Sequence, residues 1–167
     1  MKAFLIATAV TLGAASAAHA APIDAKTFAS KVTVANKYEI DTGELGIKYA
    51  KDSSVKSFAQ QMVDDHKKAG EEFKAALKEG GIEPPSETLD VTHTAKYAKL
   101  RVFTTEAGFD SAYVKDGVAA HEDTVATFKD FAQNGEDGPV KTFAKKTLPT
   151  LEHHLSMVKD LEAKVAK

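Results

Sequence analysis

The chain has 167 residues, enough for one domain with a proper core, and a formal net charge of −2 from 22 Lys and Arg against 24 Asp and Glu. The two signs are interspersed with no basic block, which argues against nucleic acid or an anionic membrane surface as partner. There is no Cys and there are six His, so a disulfide scaffold and any thiolate metal site are excluded, and candidate ligands reduce to His, Asp and Glu.

The first twenty residues read as a secretory signal peptide: Lys2 supplies the positive start, Ala3 to Ala18 the short apolar run, and Ala18-His19-Ala20 an A-x-A cleavage site ahead of Ala21. The run is too short and too rich in Ala for a comfortable membrane span. The expected organisation is therefore a cleaved leader over 1–20 and a single four-helix-bundle domain over 21–167. The expected location is the periplasm, or export by another route, with a Gram-negative source; an integral membrane protein is not expected.

Beyond the leader, apolar residues recur at helical spacing, not in alternation. The first long helix is predicted from Asp24, which can cap it, to Lys51, with the stripe Phe28, Val32, Ala35, Glu39, Thr42, Gly46 and Tyr49. Asp52 or Ser53 caps the second, which runs to Glu79 and stops at Gly80-Gly81 on the stripe Val55, Ala59, Met62, His66, Ala69, Phe73 and Ala76. Pro84-Pro85 opens a long connection in which Leu89, His93, Tyr97 and Leu100 suggest a short amphipathic helix. The third long helix is predicted from Phe109 to Gln133, with Val114, Val118, His121, Val125, Phe128 and Ala132 inward. The fourth starts near Gly138-Pro139, with Thr147, Leu151, His154, Val158, Leu161 and Val165 inward and a kink expected at Pro149. The fold class is all-α: a ferritin-like four-helix bundle with a short extra helix in the connection between the second and third long helices. That connection is either a full-length crossover or a short helix followed by an ordinary return.

Four polar residues interrupt these stripes, one per long helix: Glu39, His66, His121 and His154. Counted from its hairpin loop at about 1.5 Å per residue, Glu39 lies roughly 18 Å along its helix, His66 and His121 roughly 21 Å, and His154 roughly 22 Å. The spread is under one helical turn, so all four belong to one middle layer whichever way the second hairpin runs. Buried charge or imidazole is costly unless paired. Three imidazoles and a carboxylate suit one transition-metal ion, Zn, Fe or Cu (Ni by ligand type as well), and do not suit Mg or Ca. Asp65, Glu122 and Tyr113 stand beside the set as residues that would brace the ligands from outside. His153, next to His154, and His93, in the connection, read as surface residues.

Other readings of the same residues stay open. A lone His on an apolar stripe is ordinarily a hydrogen-bonded core histidine, and Glu39 can pair with an imidazolium without metal. The set would then be a buried polar network in a structural or interaction bundle, with an envelope protein as partner. With a metal and an open position, oxidase or peroxidase chemistry is a third reading, so enzymatic activity is left undecided. The motifs of a serine hydrolase, a zinc protease and a phosphate-binding loop are all missing.

Several short runs carry a family resemblance. Glu39-Ile40, Gly43, Leu45, Val55, Phe58-Ala59, Met62-Val63 and Asp65-His66, then Phe109-Asp110, Tyr113, His121, Leu148-Pro149, Leu151 and His154-Leu155, resemble the family called domain of unknown function 4142. The likeness spans Phe28 to Leu161. It implies an exported bacterial protein with a ferritin-like helical bundle, and it brings no activity. Glu39, Asp65, His66, His121 and His154 match its motif positions. A looser likeness to di-iron ferritins fails at the carboxylates. Those proteins place a Glu three residues before each of two helix histidines, where this chain has Val63 and Leu151. A mononuclear site fits better, in a protein of metal handling or stress protection.

Overall fold

The computed structural model describes residues 23–105 and 108–165; the expected leader lies outside them. The chain forms α1 (Ala25–Tyr49), α2 (Ser53–Glu79), α3 (Val91–Val102), a 3-10 turn at Phe103–Thr105, α4 (Phe109–Asn134) and α5 (Pro139–Val165), with no strand among the described residues. The architecture is an all-α helical bundle. The long helices begin where short polar side chains can hold orphan amides. Asp24 Oδ1 accepts from the Thr27 amide at 2.7 Å, and Asp52 Oδ1 from the Ser54 and Val55 amides at 2.7 and 3.3 Å. Asp90 caps α3 in the same way, accepting from His93 N at 2.8 Å. α5 continues through Pro149, which lies on an exposed face of the helix.

Two apolar clusters fix the topology. One gathers Phe28 and Val32 from the start of α1, Phe73 and Leu77 from the end of α2, Phe128 and Phe131 from the end of α4, and Phe143 from the start of α5. The other gathers Val55 and Phe58, Phe109 and Val114, Val158 and Leu161, together with Leu100 of α3. Thus α2 ends at one end of the bundle and α4 begins at the other. The connection is a full-length crossover that carries a short helix, the arrangement of ferritin-like bundles. Each long helix runs antiparallel to both of its neighbours, and α3 packs against α1. Asp110 at the start of α4 secures the α1–α2 turn, accepting from Lys51 N at 3.0 Å and Asp52 N at 2.7 Å.

α1 and α2 approach closely where side chains are small. A Cβ on Gly46 would lie 2.6 Å from Ala59 Cβ and 3.0 Å from Tyr113 Cζ. Ala59 Cβ is fixed to its backbone, so the helices would have to part. Gly46→Ala should therefore destabilise the bundle: overpacking costs about 1–3 kcal/mol and outweighs the gain of up to about 1 kcal/mol in helix propensity. Urea denaturation checks this, and a midpoint equal to or above that of the wild type would contradict the packing argument.

Candidate metal centre

Between the two apolar clusters lies a polar layer. Glu39, Thr42, His66, His121 and His154 are 5, 2, 6, 1 and 1 % exposed, so none of them can rely on water. Thr42 is satisfied locally, its hydroxyl donating to the Tyr38 carbonyl at 2.9 Å. The three histidines, from α2, α4 and α5, form a triangle with ring centroids 5.6–5.8 Å apart. One ring nitrogen of each lies within 4.8 Å of the other two.

The hydrogen bonds on the outer side of the triangle decide which nitrogen is bare. His121 Nδ1 donates to the Gly117 carbonyl at 2.9 Å. His154 Nε2 donates to Asp65 Oδ2 at 3.0 Å. His66 Nδ1 donates to Asn36 Oδ1 at 3.1 Å. A carbonyl and a carboxylate only accept, so these partners draw the ring proton outward. That leaves His66 Nε2, His121 Nε2 and His154 Nδ1 as lone pairs, and all three are buried with no partner. Three imidazoles braced from outside with bare nitrogens inward could hold a metal ion. Metal–nitrogen bonds of about 2.0–2.1 Å would need the three rings to close inward by small side-chain rotations.

Electrostatics agree with neutral rings. Burial, then repulsion from His121 and His154, holds His66 well below the ordinary histidine range. Burial also lowers His154, against the opposing pull of Asp65. Ligating imidazole must be neutral, so this environment removes a proton that a metal would otherwise have to displace.

Glu39 is placed differently from the histidines. Its Oε1 is 3.5 Å from His121 Nδ1, the outward nitrogen of that ring, and has no hydrogen-bond partner. The His121 N–H is already directed at Gly117. The carboxylate thus lies behind the His121 ring and outside the three-nitrogen cluster. Burial pushes its carboxyl above the usual range.

Of the bracing residues, Asp65 reaches His154. Glu122 is exposed and pairs with Lys159 at 2.7 Å. Tyr113 is buried with an unpartnered hydroxyl, held well above the ordinary tyrosine range by burial and then by Glu39. His153 is exposed. His93 is half-buried, bonded to Asp90 Oδ1 at 2.8 Å and packed edge-on against Tyr38 at 5.1 Å, so the crossover brings it onto α1. Tyr38 in turn donates to Asp116 Oδ2 at 2.7 Å.

Sequence reasoning missed Asn36 and Gly117. Asn36 sits one helical turn before Glu39, a spacing that placed it near the layer. It finds room because Gly70 carries no side chain, where a Cβ would come within 2.9 Å of Asn36 Nδ2. Gly117 acts through its carbonyl, which any residue at that position would supply.

Fold and layer together define a helical bundle with a buried three-histidine cluster. Residues 9–161 match the family model for the domain of unknown function 4142, and the chain belongs to that family. No curated protein and no solved structure matches the chain. Among the described residues, no helix is long and apolar enough to cross a membrane.

The buried groups give the metal-free protein opposing pH dependences. His66 and His154 are neutral when folded, whereas in the unfolded chain they bind protons below about pH 6.5, so their contribution is lost as pH falls through that value. Glu39 acts the other way. Its folded value is raised, so stability is lost as pH rises from about 4.3, the unfolded value, through the raised folded one. Glu39→Gln should therefore improve the urea midpoint more at pH 7.5 than at pH 5. An equal change at both values would mean that Glu39 does not carry this cost.

Proposed function

We propose that the protein is an exported helical bundle that binds one transition-metal ion through His66, His121 and His154, with a role in metal handling or stress protection in the bacterial envelope. The observation that carries this reading is the set of three buried nitrogens turned toward one space without a donor among them. Each unsatisfied buried acceptor costs about 1–3 kcal/mol. In a hydrogen-bond network closed among protein groups every acceptor would meet a protein donor, and here three do not. A single cation relieves all three together. Export rests on Lys2, the apolar run and the Ala18-His19-Ala20 site.

Three nitrogen donors favour Zn, Fe or Cu over the oxygen-seeking Mg and Ca. Three protein ligands also leave a position for water or a further group, as in catalytic zinc sites. A bound ion there would act as a Lewis acid. The chain's own contribution is to orient the rings through Asp65, Asn36 and Gly117 and to keep bulk water out.

Elemental analysis tests this directly. The mature protein, purified without chelator or metal-affinity resin, should carry about one equivalent of a single metal, and a His66→Ala/His154→Ala double variant none. Zinc at about 100 times its dissociation constant should stabilise the metal-depleted wild type by about 2.7 kcal/mol. A wild type that stays metal-free after reconstitution returns the cluster to a polar network and points to a protein partner. Asp65→Ala should keep the stoichiometry but weaken affinity about 10–100-fold, as loss of an outer partner to a ligating histidine does. Isothermal titration reads this, and unchanged affinity would remove Asp65 from the site.

A further inference from the structure

We propose that the cleft between α1, α3 and α4 is the port through which the metal ion reaches the histidines, with Glu39 as its transit ligand. This rests on the metal-binding reading above. The cleft encloses about 730 Å³, and both Glu39 and Tyr38 line it. Its rim carries Asp90 and Asp123 and also Lys31 and Lys96, so the rim does not select for charge. The selective group is Glu39, the one carboxylate among the lining residues that is also buried.

The carboxylate lies between the cleft and the His121 ring. Glu39 is 5 % exposed, and its Oε1 is buried, has no hydrogen-bond partner, and lies 3.5 Å from His121 Nδ1. A cation held there is one imidazole ring away from the bare Nε2 of His121. The opposite face offers a poorer route. Asp65 is 38 % exposed, but its Oδ2 is engaged with His154 Nε2 at 3.0 Å. The small cavity beside His66, about 30 Å³, is lined mainly by apolar side chains such as Val32, Phe73 and Leu151, which a hydrated ion would not favour. An unpartnered buried carboxylate at the foot of an open cleft has the chemistry of a relay: it replaces part of the ion's water and then yields the ion to three nitrogens that bind it better.

A transit ligand changes rates in both directions and leaves the equilibrium alone. Stopped-flow uptake of zinc by the metal-depleted full chain, and its release to a competing chelator, are compared for the wild type, Glu39→Gln and Ala120→Phe. Ala120 lines the same cleft, and the larger ring narrows it without altering the carboxylate. Both variants should take up and release zinc measurably more slowly, with the dissociation constant unchanged. Wild-type rates in both variants would overturn the port while leaving the metal site standing. A weakened dissociation constant in Glu39→Gln with normal uptake would make Glu39 a resident ligand and also overturn it. No zinc binding by the wild type overturns the metal reading and the port together.

Discussion

Everything in the middle of this bundle depends on three histidines whose outer nitrogens are satisfied and whose inner nitrogens are not. The outer bonds to Asn36, Gly117 and Asp65 fix the proton on one side of each ring. Without them each imidazole would be free to turn a donor inward and close an ordinary network. With them, the interior of the layer is an acceptor-only space. The apolar clusters on either side shield that space from bulk solvent and hold the helices at a spacing that brings the rings together. The polar layer is therefore a costly element inside an otherwise well-packed bundle, and such local cost is retained where it serves a site.

Much of this was legible in the residues. Helix boundaries followed from aspartate caps, Gly80-Gly81 and Gly138-Pro139, and the observed ends lie within about two residues of them. The layer could be located by counting, because the rise per residue of a helix hardly varies. That is why His66, His121 and His154, far apart in the chain, were expected at one level. The antiparallel hairpins followed from the short loops beside Ala50 and Gly135.

Other features depend on information that periodicity does not hold. Helical spacing places Glu39 at the right height, but the choice between facing the histidines and lying behind His121 is set by side-chain rotation and by the neighbouring α3. The sequence leaves the path of the crossover open because the Pro84-Pro85 segment has the length for either; the direction is decided by where Leu100 and Phe109 bury. His93 looked like surface because its segment is polar, and it acquires a partner only when α3 lies on Tyr38. Asn36 became an anchor through a glycine on another helix, a pairing invisible along one sequence.

The distribution of the histidines over the two hairpins has a further consequence. His66 belongs to the α1–α2 hairpin, and His121 and His154 to the α4–α5 hairpin. An ion shared among them would be a cross-link between the halves, closing a loop that contains the entire crossover. In a chain without cysteine that is the place a disulfide takes elsewhere, but the ion would act by binding the folded state and not by restricting the unfolded chain. Unlike a disulfide, this staple would be set by the ambient concentration of a metal and not by the redox state of the compartment. The docking of one hairpin on the other would then report on metal supply.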